Sequence, residues 1–91
     1  MTERITYISA GGYHNAALSE RGYVYTWGRG DVGQLGFEDE RALEKDSMGY
    51  VLTYPKQTGF RNIEKIALGE AHTMVLDQSG RLRVFGWDEL G

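Results

Sequence analysis

The chain has 91 residues, with 13 Asp and Glu against 10 Lys and Arg, and it contains no cysteine. This length allows one small domain at most, and the net charge of -3 provides no basic surface for nucleic acid or for an anionic membrane. The absence of cysteine excludes disulfides and thiolate metal sites. No apolar run approaches the roughly 20 residues that span a bilayer, and no signal-peptide pattern is present, so we expect an intracellular protein of the nucleus or cytoplasm.

Glycine and aromatic residues dominate the composition. There are 13 Gly and six Tyr against a single Pro. Frequent glycine is typical of tight turns, and aromatic or β-branched residues between the turns are typical of strands. The composition therefore predicts an all-β fold.

The first third of the chain predicts three short strands separated by turns. An apolar run at 5–8 leads to the motif Gly-x-x-His at 11–14, and a short strand is predicted at 16–18. The polar turn at 19–22 ends on Gly22, which suits the positive φ of a hairpin loop with a bulge. Apolar and polar residues alternate after this turn, which predicts another strand with one buried face.

A charged segment, FEDERALEKDSM, interrupts this pattern from Phe37 onwards. Its oppositely charged residues three or four positions apart could support a short helical turn, each pair contributing only ~0.2–0.5 kcal/mol. Leu43 and Met48 are its only other sizeable apolar side chains. We therefore predict a surface loop at 37–54, with Pro55 marking the return to strand structure.

The last third of the chain repeats the first at an offset of 58 residues, which aligns 5–33 with 63–91. Eight of the 29 aligned positions are identical, and an aromatic residue precedes a glycine in both copies, as Trp27 and Phe85. The chain therefore contains about 1.6 repeats, since 91/58 is about 1.6. The identical pairs are Ile5/Ile63, Ile8/Ile66, Gly11/Gly69, His14/His72, Leu18/Leu76, Gly22/Gly80, Gly28/Gly86 and Gly33/Gly91.

The duplicated Gly-x-x-His, the aromatic-glycine pair and the motif Gly-Gln-Leu-Gly at 33–36 resemble the regulator of chromosome condensation repeat family. The resemblance covers a first repeat at 3–36 and a second, truncated repeat at 55–91, with the charged loop at 37–54 between them. It implies an all-β partial β-propeller, in which antiparallel blade sheets stand around a channel. The chain would then be a fragment of a larger ring of about seven blades, completed by the same or another chain.

The residues shared by the two copies are interpreted as the structural frame of the blades. A metal site needs three or four ligands in one place, and a catalytic base would not need to be duplicated. We therefore expect the two histidines to bridge backbone groups at the start of a strand, and we predict no catalytic residue, metal or cofactor. The frame comprises Gly11, His14, Gly22, Trp27, Gly28, Gly33, Gly69, His72, Gly80, Phe85, Gly86 and Gly91.

Two other motifs in the first copy suggest different functions. The pattern G-x-G-x-x-G at 28–33 is found in dinucleotide-binding proteins, but no acidic residue follows about 20 positions later, and the second copy has Asp88 in place of the middle glycine. The tripeptide RGD at 29–31 occurs in adhesion ligands, but it arises by chance in a chain of this length with a probability on the order of a per cent. Neither motif is expected to be functional.

The loop that precedes Gly33 shares no residue with its counterpart in the second copy, although the frame around it is kept. Loops on a rigid scaffold are where partner contacts are usually built. In the founding member of the family, the corresponding connections contribute polar and acidic side chains to the face that engages a small GTPase. The resemblance therefore implies as partner-binding candidates Arg29, Asp31, Trp87, Asp88 and Glu89.

Three functions remain open at this point, all of which depend on a protein partner rather than on nucleic acid or a membrane. The first is a non-catalytic protein-protein interaction scaffold, which is not an enzyme. The second is guanine-nucleotide exchange on a Ran-like small GTPase, although nothing in this sequence matches the β-wedge insertion that the exchange mechanism requires. The third is an architectural subunit of a larger assembly.

Overall fold

The computed structural model describes residues 3–37 and 40–86 of the chain. The described part consists of antiparallel strands and one short 3-10 helix, which confirms the predicted all-β class. The strands are β1 (Ile5–Ala10), β2 (His14–Ser19), β3 (Val24–Arg29), β4 (Glu44–Asp46), β5 (Gly49–Gln57), β6 (Ile63–Leu68), β7 (His72–Asp77) and β8 (Leu82–Gly86), and the 3-10 helix is η1 (Glu40–Ala42).

The strands form two sheets whose pairing repeats at the offset of 58 residues. The first sheet has the order β1-β2-β3-β5-β4 and the second has the order β6-β7-β8. His14 pairs with Gly28 in the first sheet, and their counterparts His72 and Gly86 pair in the second. The similarity of the two copies therefore extends from the sequence to the strand register.

The turn glycines of the two copies have the predicted conformation. Gly22 has a φ of 85° and Gly80 a φ of 87°. The N–H of each glycine donates to a carbonyl three residues earlier, that of Ser19 in one turn and that of Asp77 in the other, at 3.0 Å. Glycine adopts this left-handed conformation without steric cost, so both hairpins turn at the expected place.

The core lies between the two sheets. Alternation along the strands places aliphatic side chains from each sheet on the facing surfaces. Each large aliphatic side chain buried there contributes about 1.5–3 kcal/mol, so the contact between the sheets is a main source of stability. The buried cluster comprises Ala16, Leu18 and Val24 from the first sheet and Ile63, Ile66 and Val75 from the second.

The segment 37–54 contains more regular structure than the predicted loop. It includes η1, β4 and the first six residues of β5, which pairs with β3 and places Leu52 in the core at 1% exposure. Aromatic and β-branched residues in YVLTY favour this strand. Pro55 lies where the β3–β5 register shifts, so its missing N–H does not interrupt a regular ladder.

Candidate functional site

A buried polar contact joins the two sheets at His14. This residue begins β2 and is 1% exposed, and its Nε2 lies 2.7 Å from Oγ1 of Thr73 on β7. The Thr73 hydroxyl donates to the carbonyl oxygen of Gln34, also at 2.7 Å. Because a carbonyl only accepts, the Thr73 oxygen must accept from a proton on His14 Nε2. The sequence predicts a bridge to backbone groups, whereas Nε2 of His14 contacts a side-chain hydroxyl of the other sheet.

The second nitrogen of the same ring, Nδ1 of His14, is buried and has no hydrogen-bond partner within the described part of the chain. Burial is the main cause that lowers the pKa of His14; a backbone contact with His72 opposes this shift, and the charge of the His72 ring adds to it. Because burial penalises the charged form, the neutral imidazole with its proton on Nε2 is favoured in the folded protein.

The glycine of each Gly-x-x-His motif provides the space for the histidine ring. An added Cβ at Gly69 would lie 2.0 Å from Cε1 of His72, and one at Gly11 would lie 3.0 Å from Cε1 of His14. In both copies the glycine N–H donates to the histidine carbonyl, at 2.8 Å in the first and 2.9 Å in the second. The motif is thus a tight turn whose ring packs on the glycine. This geometry supports the structural-frame interpretation of these four residues.

The aromatic-glycine pair of each copy also has a geometric basis. Gly28 and Gly86 have φ values of 106° and 104°, and a Cβ at either position would lie within 2.8 Å of a backbone oxygen. Phe85 stacks on Phe60 with ring centroids 5.1 Å apart, whereas Trp27 is half-buried. The glycines are therefore required by close backbone approach.

Gln34 and Leu35, identified in the sequence only as part of the Gly-Gln-Leu-Gly motif, are buried. They are 3% and 1% exposed, and the Leu35 carbonyl accepts a 2.8 Å hydrogen bond from the hydroxyl of Thr26 on β3. The two glycines that enclose them both have a φ of 82°. In the sequence, Thr26 lies two positions after Val24, on the same predicted buried face of the strand. This position was the signal that its hydroxyl would need a hydrogen-bond partner inside the protein.

The RGD tripeptide is folded into an internal ion-pair cluster. The Arg29 guanidinium donates to both carboxylate oxygens of Asp46 at 2.8 Å, and its Nε lies 3.4 Å from Oδ2 of Asp31. Oδ1 of Asp31 accepts from the N–H of Tyr50 at 2.6 Å. A Cβ at Gly49 would lie 2.1 Å from that oxygen, so the hairpin closes tightly on the loop. Both partner-binding candidates in this loop therefore make contacts within the molecule.

The other sequence candidates are the residues after Gly86 and the dinucleotide motif at 28–33. Trp87, Asp88, Glu89 and Gly91 lie outside the described residues. The dinucleotide interpretation of 28–33 requires a helix after the motif, and the described residues that follow form turns, the three-residue η1 and then strands. The G-x-G-x-x-G pattern therefore belongs to a strand end and a loop, as its comparison with the second copy predicted.

Within residues 3–37 and 40–86, no three His, Asp or Glu side chains are grouped so that they could hold a metal ion. No helix in these ranges has the length and apolar character to cross a membrane.

Comparison with known proteins identifies the repeats. Two models of the regulator of chromosome condensation (RCC1) repeat match, one over residues 21–76 and the other over 5–34 and 63–91. The probable E3 ubiquitin-protein ligase HERC3 of Homo sapiens is 38% identical over 84 residues, which cover 92% of this chain and 7% of that protein.

Solved structures show the same fold. The crystal structure of Kap60 bound to yeast RCC1 (Prp20) matches with a TM-score of 0.84 and 25% identity, over 94% of this chain and 20% of the matched chain. The structure of Prp20p from Saccharomyces cerevisiae matches with a TM-score of 0.73 and 29% identity, over 94% and 19%. This chain thus spans at most a fifth of these relatives. Since one family model alone matches more than half of its residues, the chain belongs to the regulator of chromosome condensation (RCC1) repeat family.

Proposed function

We propose that this chain forms part of a non-catalytic protein-protein interaction scaffold. The observation that carries the proposal is the anchoring of the variable loop after β3 at both of its ends. Arg29 and Asp31 fasten its start to the β4–β5 hairpin, while Gln34 is bound by Thr73 of the second sheet and Leu35 is buried against β3. A loop that is ordered before binding loses little conformational entropy when a partner docks, which favours specific recognition.

The proposed scaffold is completed by further blades of the same or another chain. Ile8 is 65% exposed, whereas its repeat counterpart Ile66 is 6% exposed because it packs on the first sheet. On the opposite side, Leu82 is 60% exposed, whereas its counterpart Val24 is fully buried. Each of these exposed faces therefore carries an aliphatic residue whose counterpart is buried in the contact between the two described sheets. This equivalence supports the stacking of a further blade on each face.

Partner contacts in this proposal come from the loop candidates. The Asp31 side chain is 42% exposed, while the Arg29 side chain is 20% exposed and serves mainly as an internal clamp. Trp87, Asp88 and Glu89 are retained as candidates on the equivalent loop of the second copy. We propose a protein partner in the nucleus or cytoplasm.

The second candidate function is nucleotide exchange on a Ran-like small GTPase. It is favoured by the likeness to Prp20p, whose crystal structure was described together with its binding to Gsp1p and histones. Exchange would be a catalytic effect exerted by binding. Exchange would therefore use the same kind of protein surface as a scaffold, but it would also accelerate release of the bound nucleotide.

The two functions are separated by measurements on the full-length gene product. A partner identified by cross-linking is tested for complex formation, and a small GTPase loaded with fluorescent nucleotide is tested for release. A scaffold forms the complex without faster release, whereas an exchange factor accelerates release. Absence of any protein complex would overturn both functions.

A matched pair of variants tests whether the loop takes part. Asp31→Asn keeps an oxygen that accepts from the Tyr50 N–H but removes the charge, so it should weaken the complex. Asp77→Asn changes a carboxylate that also accepts from backbone N–H groups, those of Ser79 and Arg81, but lies at the other end of the strands. Equal weakening by both variants would contradict a role for the loop.

A further inference from the structure

Three exposed apolar side chains lie at the same end of the first sheet. Tyr13 in the β1–β2 loop is 59% exposed, Val32 after β3 is 44% exposed and Met48 in the β4–β5 turn is 79% exposed. β2 starts at this end, β3 ends there, and β5 starts there, so their loops share one edge. Three such side chains on adjacent loops form a cluster rather than isolated exposed residues.

Backbone hydrogen bonds hold these loops side by side. The Arg29 N–H donates to the Tyr13 carbonyl and the Gly30 N–H donates to the Tyr50 carbonyl, both at 2.9 Å. Neighbouring strands are about 4.8 Å apart, so β2, β3 and β5, from which the three loops extend, lie within roughly 10 Å of one another at this edge. In protein interfaces a few side chains near the centre carry most of the binding energy.

The same loops are fixed before any partner arrives. The Met48 N–H donates to Oδ1 of Asp46 at 2.8 Å, and Asp46 is itself held by the Arg29 guanidinium. The Val32 N–H donates to Oε1 of Gln34 at 3.0 Å. The apolar side chains therefore project from an ordered backbone, which reduces the entropy lost on docking.

Acidic groups surround this cluster. The side chains of Asp31 and Asp46 are 42% and 45% exposed. Glu70 is exposed and packs beside the Tyr13 loop, since a Cβ added at Gly12 would lie 2.7 Å from its Cγ. Two cations lie nearby: the Arg29 side chain is 20% exposed and paired with Asp46, and the exposed Lys45 ammonium lies 5.5 Å from the ring centre of Tyr50. The three carboxylates therefore outnumber the two cations.

We propose that Tyr13, Val32 and Met48 form an apolar docking surface for a protein partner that presents an apolar side chain flanked by lysine or arginine. This inference rests on the proposed scaffold function and names the surface and the partner chemistry. The apolar contact supplies affinity, while the carboxylates at the rim favour a basic partner and raise the association rate.

The test uses the full-length gene product labelled with ¹³C at its methionine methyl groups. The probes are a synthetic amphipathic peptide with leucine on one face and lysine on the other, and a matched peptide with glutamate in place of lysine. We expect the lysine peptide to shift the Met48 methyl signal, while the signal of half-buried Met74 stays in place. The glutamate peptide should bind at least about tenfold more weakly, because it meets the acidic rim.

Variants locate the surface. The double variant Tyr13→Ser, Val32→Ser should weaken binding of the lysine peptide at least about tenfold, as expected for loss of a central apolar cluster. Tyr54→Ser should leave binding unchanged, because Tyr54 is similarly exposed at 52% but lies within β5, away from this edge. Glu70→Lys should weaken binding of the lysine peptide, because it replaces an acidic group at the rim by a basic one.

Each result bears on the proposal. Equal binding of both peptides, an unmoved Met48 signal, or equal losses in the Tyr54→Ser and double variants would overturn the docking surface. If a protein partner nevertheless cross-links elsewhere on the full-length protein, the scaffold function stands and only this surface is wrong. If no protein associates at all, the scaffold function fails, and this inference fails with it.

Discussion

The hydroxyl of Thr73 on β7 donates a hydrogen bond to the backbone carbonyl of Gln34, 2.7 Å away, and thereby ties the second sheet to the loop that follows the first. The same oxygen accepts from Nε2 of His14 on β2. One buried hydroxyl thus satisfies a carbonyl and an imidazole that belong to the neighbouring repeat. The contact between the sheets therefore depends on a specific polar link as well as on aliphatic packing.

Replacement of Thr73 by valine should destabilise the protein. Valine keeps the side-chain shape but leaves the Gln34 carbonyl and the His14 Nε2–H without partners in a buried environment, which costs about 1–3 kcal/mol of the free energy of unfolding. Thr73→Ser keeps the hydroxyl and removes one methyl group, which costs about 0.8 kcal/mol. Urea unfolding of the full-length gene product measures both changes. A valine variant as stable as the serine variant would show that the link contributes nothing.

The buried His14 should make the stability dependent on pH. The ordinary histidine pKa of 6.5 applies to the unfolded chain, and burial lowers the pKa of His14 in the folded protein. In the window between the two values the unfolded state binds the proton more tightly, so the free energy of unfolding falls as the pH drops below about 6.5. Above that pH the contribution is fully retained. Urea midpoints measured from pH 8 downwards test this slope.

The control for this prediction is His14→Gln. Glutamine has an N–H₂ group that can donate to the Thr73 hydroxyl, but it does not titrate in this range. The variant should therefore lose stability at neutral pH because its shape differs, while its stability should change less between pH 7 and pH 5. If the slope is the same in the variant and the wild type, another group is responsible.

The parts of the fold that sequence alone predicted are those determined by local pattern and repetition. The similarity of the two copies at an offset of 58 residues indicated equivalent strands. The equivalent strand pairs His14↔Gly28 and His72↔Gly86 agree with this prediction. The turn glycines were predictable because a hairpin loop of this kind needs a positive φ. These features depend on neighbouring residues, so a sequence pattern describes them well.

The missed features depend on residues that are distant in the sequence. Arg29 and Asp46 are 17 positions apart, and nothing in the charged segment indicated that its aspartate would hold an arginine from the preceding loop. The Gly-Gln-Leu-Gly motif indicated the family but not that Gln34 and Leu35 would be buried, with the Gln34 carbonyl bound by Thr73 of the second sheet. The charges of Arg29 and Asp31 are already paired within the molecule, whereas the side chains of Tyr13, Val32 and Met48 are exposed at the same end of the sheet.

The ion pair between Arg29 and Asp46 should contribute modestly and in a salt-dependent way. Both side chains are partly exposed, at 20% and 45%, so solvent screens the attraction despite the bidentate geometry. A double-mutant cycle with Arg29→Gln and Asp46→Asn should give a coupling energy of about 0.5–1 kcal/mol at low ionic strength. The coupling should decrease in 1 M salt, where the screening length falls to about 3 Å. A coupling that is unaffected by salt would indicate that packing, rather than charge, is involved.

A glycine of the Gly-x-x-His motif should not tolerate alanine, in contrast to a glycine outside it. A Cβ at Gly69 would lie 2.0 Å from Cε1 of His72, so the ring must leave its place over the turn, and we expect a loss of about 1–3 kcal/mol. Gly59 has nothing within 4 Å of an added Cβ and its φ lies outside the left-handed region. Gly59→Ala should therefore change the free energy of unfolding by less than about 1 kcal/mol, and in the stabilising direction. Urea unfolding of both variants provides the comparison, and equal stability would refute the explanation of the motif by ring packing.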